Sequence, residues 1–324
     1  MKIAVTGSIA TDHLMTFAGK FSDSLIDGEL HSLSLSFLVD NLAIFRGGVA
    51  GNICFGLAQF GLAPVLVGAV GPDFDDYRAW LERHGIDTES VHVVEELHTA
   101  RFICTTDAAA NQIASFYAGA MSLANQIELE PITKRVGSVD LFVIAPNDPR
   151  AMRRHTEECR SRGYAFAADP SQQLAFLDGP AIRELIDGAS FLFTNEYEAA
   201  LTEKKTGWSA EEVLARVGTR VTTLGARGSR VERVGEPVIE VPGVSGVEVV
   251  DPTGLGDSYR AGFVAGLARG LDLERCAQVG SLIASEVLTT KGTQEYELDP
   301  ERFLARARSH YGSHAGAQME VMFG

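Results

Sequence analysis

Short apolar runs with the pattern of β-strands alternate with helical patterns along most of this 324-residue chain. Strand, helix and strand in that order make a unit whose two strands run parallel, because the helix returns the chain to the same end of the sheet. The alternation predicts an α/β fold with a doubly wound, mainly parallel sheet and helices on both faces. The strand-like runs are residues 2–7, 64–68, 139–145, 164–169, 190–194 and 220–225, and the helical patterns are residues 50–60, 74–84, 150–162, 181–187 and 210–217.

Two segments interrupt this alternation and predict a second, smaller β-sheet. In the later one, the β-prone runs 99–106 and 112–117 flank a five-residue polar and alanine-rich loop. Both segments leave and rejoin the alternation in its first half, so we expect a lid over the sheet edge; extra edge strands of the main sheet are the alternative. The lid segments are about residues 9–45 and 91–118, with alternating patterns at 30–45 and 91–117, in a single domain of residues 1–324.

Composition narrows the classes of partner. The chain carries 28 Lys and Arg against 43 Asp and Glu, a formal net charge of -15 at pH 7. So acidic a chain disfavours a nucleic acid or an anionic membrane as partner. The first apolar run is too short for a signal peptide, and no run reaches the roughly 18 apolar residues of a membrane span. We therefore predict a cytoplasmic protein.

One segment, residues 251–262, points to a chemistry. It reads D-P-T-G-L-G-D-S-Y-R-A-G, and an apolar helical pattern continues to residue 288. Gly254 and Gly256 let the backbone turn tightly and present its N–H groups at a helix start, which makes a phosphate-sized site. Asp257 at the mouth of that helix would take a proton from an attacking hydroxyl. The pairing predicts phosphoryl transfer to an alcohol; the alternative is an Asp that caps a helix after a glycine-rich turn.

A second glycine-rich turn lies near the N-terminus. Residues 46–52 read R-G-G-V-A-G-N and enter a helical pattern. Paired glycines let the backbone approach a ligand closely, and Asn52 could offer an amide donor and acceptor to sugar hydroxyls. Taken alone, this turn has a simpler interpretation, a loop-to-helix turn with a capping Asn.

Motifs of several other classes are absent from the chain. It contains no G-x-x-x-x-G-K-[ST], and neither the V-A-I-K nor the H-R-D motif of protein kinases. A dinucleotide fingerprint fails because Tyr259 stands where its third glycine belongs, which disfavours an oxidoreductase. Four widely separated cysteines have no metal-binding spacing and are predicted to be buried thiols: Cys54, Cys104, Cys159 and Cys276.

Taken together, the two glycine-rich segments resemble the signatures of the ribokinase-like sugar and nucleoside kinases, the PfkB family. The forms are G-G-x-x-x-N at residues 47–52 and D-x-T-G-x-G-D at residues 251–257, about two hundred residues apart and in the family's order. The resemblance covers nearly the whole chain and implies a ribokinase-like fold with a β-sheet lid. It assigns Gly48 and Asn52 to the sugar, Asp257 as the catalytic base, and Gly254, Leu255 and Gly256 to the anion hole.

The resemblance assigns further residues to the ribose and the nucleotide. Asp12 matches the acidic residue that accepts hydrogen bonds from two ribose hydroxyls, and Ser8 lies in the loop beside it. Asn195 and Glu198 match N-x-x-E, which positions Mg²⁺ through water. By themselves, Asp12 could cap a helix and N-E-Y-E could be a capped helix start. Thr223, Gly225 and Gly228 match the T-x-G-x-x-G turn that receives ATP together with Gly256, although ordinary hairpins share that pattern.

Other details are similar to the bacterial adenosine kinases of this family. Phe102 and Phe116 would contact the purine, for which a flat aromatic slot is suited; core packing is the alternative. The sequence D-P-S-Q-Q-L departs from the D-x-N-x-R of sugar kinases, and its Gln172 and Gln173 could bind the nucleoside. The resemblance implies transfer of the γ-phosphate of ATP to the 5′-hydroxyl of adenosine, giving AMP and ADP.

Other readings of the same residues stay open. The chain could be another kinase of the family, a ribokinase, fructokinase or inosine/guanosine kinase, or a non-catalytic nucleoside sensor. Asp257 and the N-x-x-E pair argue against a sensor, because binding alone requires neither a base nor a metal-positioning carboxylate. The resemblance also implies Mg²⁺ with ATP, a K⁺ site near Asp251 and Thr253, and a homodimer formed through the lid.

Overall fold

The computed structural model describes residues 1–24 and 36–324, and within them the chain forms a nine-stranded and a four-stranded β-sheet. The strands are β1 (Ile3–Thr6), β2 (Ala10–Thr16), β3 (Asn41–Gly47), β4 (Val65–Val70), β5 (Val91–Val93), β6 (Ala100–Thr106), β7 (Gln112–Tyr117), β8 (Leu141–Ile144), β9 (Phe166–Ala168), β10 (Phe191–Asn195), β11 (Thr219–Thr223), β12 (Ser229–Glu232) and β13 (Ile239–Val241). The helices are α1 (Val49–Ala58), α2 (Asp75–Arg83), α3 (Leu129–Val136), α4 (Pro149–Arg162), α5 (Gly179–Ile186), α6 (Glu196–Thr206), α7 (Ala210–Leu214), α8 (Leu255–Ala268), α9 (Leu273–Val287), α10 (Pro300–Tyr311) and α11 (Ser313–Gln318).

The large sheet has the strand order β13-β12-β11-β10-β9-β8-β1-β4-β5. In this order, each strand from β11 through β10, β9, β8, β1 and β4 to β5 runs parallel to its neighbours in that series. Strands β12 and β13 form an antiparallel edge beside β11. Successive side chains of a strand point to opposite faces, so Val5 packs in a core with α1, α8 and α9 while Ala4 packs in another with α3, α4 and α5. The structure confirms the predicted fold, a mainly parallel sheet with helices on both faces.

The four-stranded sheet, in the order β3-β2-β6-β7, is the predicted lid. Strand β2 pairs antiparallel with β3 and parallel with β6, and β6 and β7 form the predicted hairpin. One part of the prediction is wrong: β5, within the later lid segment, pairs with β4 at the edge of the large sheet. It follows α2 as the next strand of a β-α-β unit, so it continues the main alternation. Residues 25–35 of the earlier lid segment lie outside the described residues.

The apolar helical pattern from residue 257 to 288 forms two helices, α8 and α9. Gly270, with φ of 78°, follows α8, and Asp272 caps α9 by accepting from Arg275 N at 2.8 Å. Helix α8 contacts both α1 and α9. Two neighbouring helices therefore hold α8 in place.

The carboxyl ends of the parallel strands form one rim of the large sheet. Ser8, Asp169, Asn195 and Thr223 lie at the ends of β1, β9, β10 and β11 or just beyond them. Ligands of such sheets bind at this edge, and β2 leaves it directly after β1 to begin the lid.

In the described part of the chain, no helix is long and apolar enough to cross a membrane. The four cysteines are buried, as predicted.

Candidate active site

Asp257 lies in the first turn of α8. Gly254 precedes the helix with φ of 77°, and the first intrahelical bond runs from Ser258 N to Gly254 O at 2.9 Å. The N–H groups of Leu255, Gly256 and Asp257 therefore have no acceptor inside the helix, whose N-terminus carries a partial positive charge. The structure thus places one carboxylate beside a turn that is able to bind an anion.

Two glycines are required by close backbone approach. A Cβ at Gly254 would lie 2.7 Å from Thr293 Cγ2, and one at Gly48 would lie 2.6 Å from Ser8 O. Both glycines also have positive φ, 77° and 87°, which other residues rarely adopt. Ser8 itself is buried and its Oγ accepts from Val49 N at 3.0 Å, so this predicted substrate residue also caps α1.

Asn52 joins the two glycine-rich turns. Its Nδ2 donates to Asp257 Oδ2 at 2.8 Å, across 205 positions of sequence. Its Oδ1 lies 2.8 Å from Thr293 Oγ1 and 3.0 Å from Gln294 Nε2, which both donate to it. Sequence reasoning named Asn52 and Asp257 but missed Thr293 and Gln294, whose signal is a polar pair that follows a glycine after a long buried helix.

The lid aligns the predicted purine-binding residues with Asp12. Its register places Asp12 opposite Phe45 on β3 and Phe102 on β6, and places Phe102 opposite Phe116 on β7. Directly opposite residues share one face of a sheet, so these four side chains form a cross-strand row. Phe116 is 53% exposed, and core packing therefore does not explain it. Sequence reasoning missed Phe45.

The face that carries this cross-strand row lies against the segment after α9, next to Thr293. A Cβ at Gly292, the residue before Thr293, would lie 2.7 Å from Phe45 Cδ1. Burial raises the pKa of Asp12 to about 6, and the negative charges of Asp257 and Asp251 contribute to that rise. Three carboxyl groups therefore converge between the lid and the first turn of α8.

A buried ion pair, which sequence reasoning also missed, adjoins Asp257. Arg260 Nη2 lies 2.6 Å from Asp169 Oδ1, with side chains 8% and 0% exposed. Burial raises the pKa of Asp169 to about 7, against the opposing charge of Arg260. Burial also raises the pKa of Asp257, while the Arg260 charge and the Asn52 hydrogen bond lower it. Arg260 thus favours the ionised form of both carboxyls.

The loop after β9 carries the two predicted glutamines. Gln173 Nε2 donates to Asn147 O at 2.9 Å, whereas Gln172 is exposed to solvent. Ser171 has φ of 44°, a conformation that costs energy in a residue with a side chain. Of the two glutamines, Gln173 therefore helps to hold the rim, whereas Gln172 makes no such bond and faces solvent.

The predicted nucleotide residues lie at neighbouring strand ends. Asn195 on β10 is in register with Thr223 on β11. Asn195 Oδ1 accepts from Glu198 N, and Glu198 Oε2 accepts from Asn195 N, both at 2.8 Å. This capping box confirms the capped helix start and holds the buried Glu198 near the rim. Gly225 and Gly228, with φ of 60° and 100°, turn β11 into β12.

The carboxylates of the site fit an ion brought by a ligand better than a resident one. Among residues 1–24 and 36–324, no group of three or more His, Cys, Asp or Glu could hold a metal. Mg²⁺ commonly binds through one or two carboxylates, waters and substrate phosphates. Glu198 Oε1 accepts from Ser171 Oγ at 3.4 Å. Asp251 accepts from the N–H groups of Thr253 and Gly292 at 2.9 and 3.2 Å.

The chain matches a known protein family over most of its length. Residues 9–300 match the profile described as pfkB family carbohydrate kinase. The chain belongs to this family. The match spans both glycine-rich turns and the lid, and it confirms the resemblance that the sequence motifs indicate.

Several nucleoside kinases are similar to this chain over most of their length. A nucleoside kinase from Methanothermobacter thermautotrophicus is 32% identical over 280 residues, 86% of this chain and 89% of that protein. A nucleoside kinase from Methanocaldococcus jannaschii is 29% identical over 314 residues, 95% and 97% of the two chains. The nucleoside kinase of Burkholderia thailandensis, solved in complex with inosine, is 32% identical with a TM-score of 0.83, covering 96% of this chain and 98% of that one. It was also solved in complex with ADP-inosine.

Proposed function

We propose that the protein is an ATP-dependent nucleoside kinase that phosphorylates the 5′-hydroxyl of adenosine, giving AMP and ADP for purine salvage. The observation that carries this proposal is the cross-strand row, in which Asp12 lies among aromatic residues on the lid face turned toward Asp257. A carboxylate that accepts from ribose hydroxyls beside a flat aromatic surface suits a nucleoside, and a free sugar would not need the aromatic surface. Similarity to nucleoside kinases supports the same substrate class.

The residues of the site divide the reaction among them. Asp12, Gly48 and Asn52 hold the ribose so that its 5′-oxygen faces Asp257. Asp257 accepts the hydroxyl proton while that oxygen bonds to the γ-phosphorus, and the bond from phosphorus to the bridging oxygen breaks to leave ADP. Charge on the transferring group is stabilised by the N–H groups of Gly254, Leu255 and Gly256. The lid excludes water during transfer.

The nucleotide belongs at the neighbouring strand ends. In this proposal Asn195, Thr223, Gly225 and Gly228 receive ATP, and Gly256 contacts its γ-phosphate. Glu198 would hold Mg²⁺ through water, and the ion would neutralise charge on the phosphates of ATP. K⁺ near Asp251 and Thr253, and a cytoplasmic location, stay predictions.

Inosine is the second candidate substrate, because the B. thailandensis relative was solved in complex with it. Adenosine carries an amino donor on the purine ring where inosine carries a carbonyl acceptor. Gln172, the glutamine that is exposed to solvent, has an amide that donates and accepts. Gln172 can therefore serve either purine, so the choice between the two is a matter for measurement.

The outer face of the lid supports a homodimer. Leu42, Ile44 and Ile113 are 52%, 58% and 48% exposed, and the register places them on the face opposite the cross-strand row. An exposed apolar surface commonly marks a protein interface. Light scattering after size-exclusion chromatography would give the mass of a dimer for the wild type, and the mass of one chain would exclude this proposal.

One assay tests the substrate proposal. Purified protein is incubated with ATP, Mg²⁺ and, separately, adenosine, inosine, guanosine, cytidine, ribose or fructose, and the phosphorylated product is identified by chromatography. We expect the highest kcat/KM with adenosine, and loss of activity when the metal is chelated. A higher value with inosine would select the second candidate. A preference for ribose or fructose would refute a nucleoside kinase.

A further inference from the structure

The orientation of the Asn52 amide decides how it acts on Asp257. An amide has a carbonyl oxygen that accepts and an NH₂ group that donates, whereas an ionised carboxylate can only accept. The 2.8 Å contact with Asp257 Oδ2 is therefore favourable when the NH₂ group faces it. Half a turn of the amide would set two acceptors against each other. The residues that fix the orientation of the Asn52 amide therefore determine whether Asp257, the proposed base, receives this hydrogen bond.

A chain of hydrogen bonds that starts at a backbone carbonyl sets this orientation. Gly47 O can only accept, so Tyr77 OH donates to it, at 2.9 Å. The Tyr77 oxygen then accepts from Gln294 Nε2, which is 2.5 Å away. The second hydrogen of the same NH₂ group is donated to Asn52 Oδ1, at 3.0 Å. Asn52 is left with its own NH₂ group toward Asp257.

Thr293 supplies a second donor to the same oxygen. Its Oγ1 lies 2.8 Å from Asn52 Oδ1 and 3.0 Å from Arg46 O, and both of these oxygens accept, so the single hydroxyl hydrogen is shared between them. A reversed amide would turn its NH₂ group toward the NH₂ donor of Gln294, which is unfavourable. The Thr293 methyl group also packs against Gly254, where a Cβ would lie 2.7 Å from it. Thr293 therefore contacts both Asn52 and the anion-binding turn at Gly254.

The side chain of Gln294 uses its two N–H donors but not its acceptor, which indicates a role in donating hydrogen bonds rather than in filling space. The residue is 1% exposed, and its Oε1 has no hydrogen-bond partner in the part of the chain that the structure describes. A buried acceptor without a partner is unfavourable, and an apolar side chain of similar length would avoid it. Gln294 does, however, provide two N–H donors to Tyr77 and Asn52 from one position.

We propose that Thr293 and Gln294 are positioning residues that hold the Asn52 amide with its NH₂ group on Asp257. This inference rests on the proposed function, since it assigns them a part in phosphoryl transfer. They act through Asn52 and require no contact with the nucleoside or the nucleotide.

Isosteric variants test the proposal. Thr293→Val and Gln294→Met keep the size of the side chain and remove its donors, and we expect kcat for nucleoside phosphorylation to fall about tenfold in each, as for a lost buried hydrogen bond. The KM for ATP should stay within about twofold, because neither residue lies at the nucleotide strand ends. Thr293→Ser keeps the hydroxyl and should restore most of kcat. The matched control is Thr290→Val, which removes a hydroxyl bonded to Val287 O in the same segment and should leave kcat unchanged.

An Asn52→Ala background separates positioning from a general structural effect. If Thr293 acts through Asn52, adding Thr293→Val to Asn52→Ala should change the single-turnover rate constant by less than about twofold. An equal loss in both backgrounds, or a Thr293→Ser variant as slow as Thr293→Val, would overturn the proposal. A wild type that phosphorylates no nucleoside would instead refute the proposed function, and this inference with it. The thermal unfolding midpoint of each variant is measured as well, so that rate constants are compared only among folded proteins.

Discussion

The floor of the candidate site and its lid are built in opposite ways. The floor, Asn52, Asp169, Asp257 and Arg260, consists of polar side chains packed between α1, α8 and the sheet, with Asp169 and Arg260 almost fully buried. In the lid, every residue of β7 is exposed. Close packing leaves buried side chains one arrangement, whereas an exposed strand has few contacts that oppose movement. The floor is suited to hold reacting groups still, and the lid to adapt to a ligand.

The largest expected effect lies in the floor. Asp257→Ala should lower kcat about 10²–10⁴-fold, because the attacking hydroxyl loses its proton acceptor. ATP should still bind, since the N–H groups of the α8 turn remain. Steady-state kinetics and a nucleotide-binding isotherm would measure the two quantities. A kcat within about threefold of the wild type would remove Asp257 from the mechanism.

The buried ion pair should dominate stability in the same region. Arg260→Met leaves Asp169 buried without its cation and should lower the free energy of unfolding by about 3–5 kcal/mol. The matched change in the lid is Arg101→Met, which breaks a bridge to Asp73 with side chains 33% and 27% exposed. There we expect a loss of about 1 kcal/mol or less. Urea denaturation would compare them, and equal losses would contradict the difference drawn between floor and lid.

Asp12 lies between the two regions, and its ionisation should control nucleoside binding. Its pKa, raised to about 6, means that the neutral form prevails below that pH and the charged acceptor form above it. The KM for the nucleoside should therefore rise as the pH falls through about 6. Asp12→Asn should raise KM at neutral pH about tenfold or more, the value of a hydrogen bond to a charged group, and should abolish this pH dependence. An unchanged KM profile would exclude the role.

The smallest expected effect is at the outer end of the cross-strand row. Phe116→Ala should raise the KM for adenosine about 2–12-fold, corresponding to an aromatic contact of about 0.5–1.5 kcal/mol. Stability should hardly change, because the side chain is 53% exposed. Tyr117→Ala is the control, since the next residue of β7 points to the opposite face. Equal effects of the two variants on KM would show that the lid face does not select the base.

Much of this arrangement could be predicted from local patterns. The alternation of strands and helices follows from burial of side chains at fixed periods, so it is visible within any short window. The first turn of α8 and the start of α1 are specified by glycines whose backbone geometry other residues cannot adopt. The same patterns assigned β5 to the wrong sheet, because a strand of three residues has the same alternation of side chains in either sheet.

Local sequence patterns are enough to establish the α/β class, the two glycine-rich turns, and Asn52 and Asp257 as candidate residues, because each of these features depends on residues a few positions away. Only the packed fold shows that Thr293 and Gln294 meet Asn52 across 241 and 242 positions, that Arg260 pairs with Asp169, and that Phe45 joins Asp12 in one row. Contacts at such separations depend on how helices and strands pack in space. No periodicity of the chain encodes that packing.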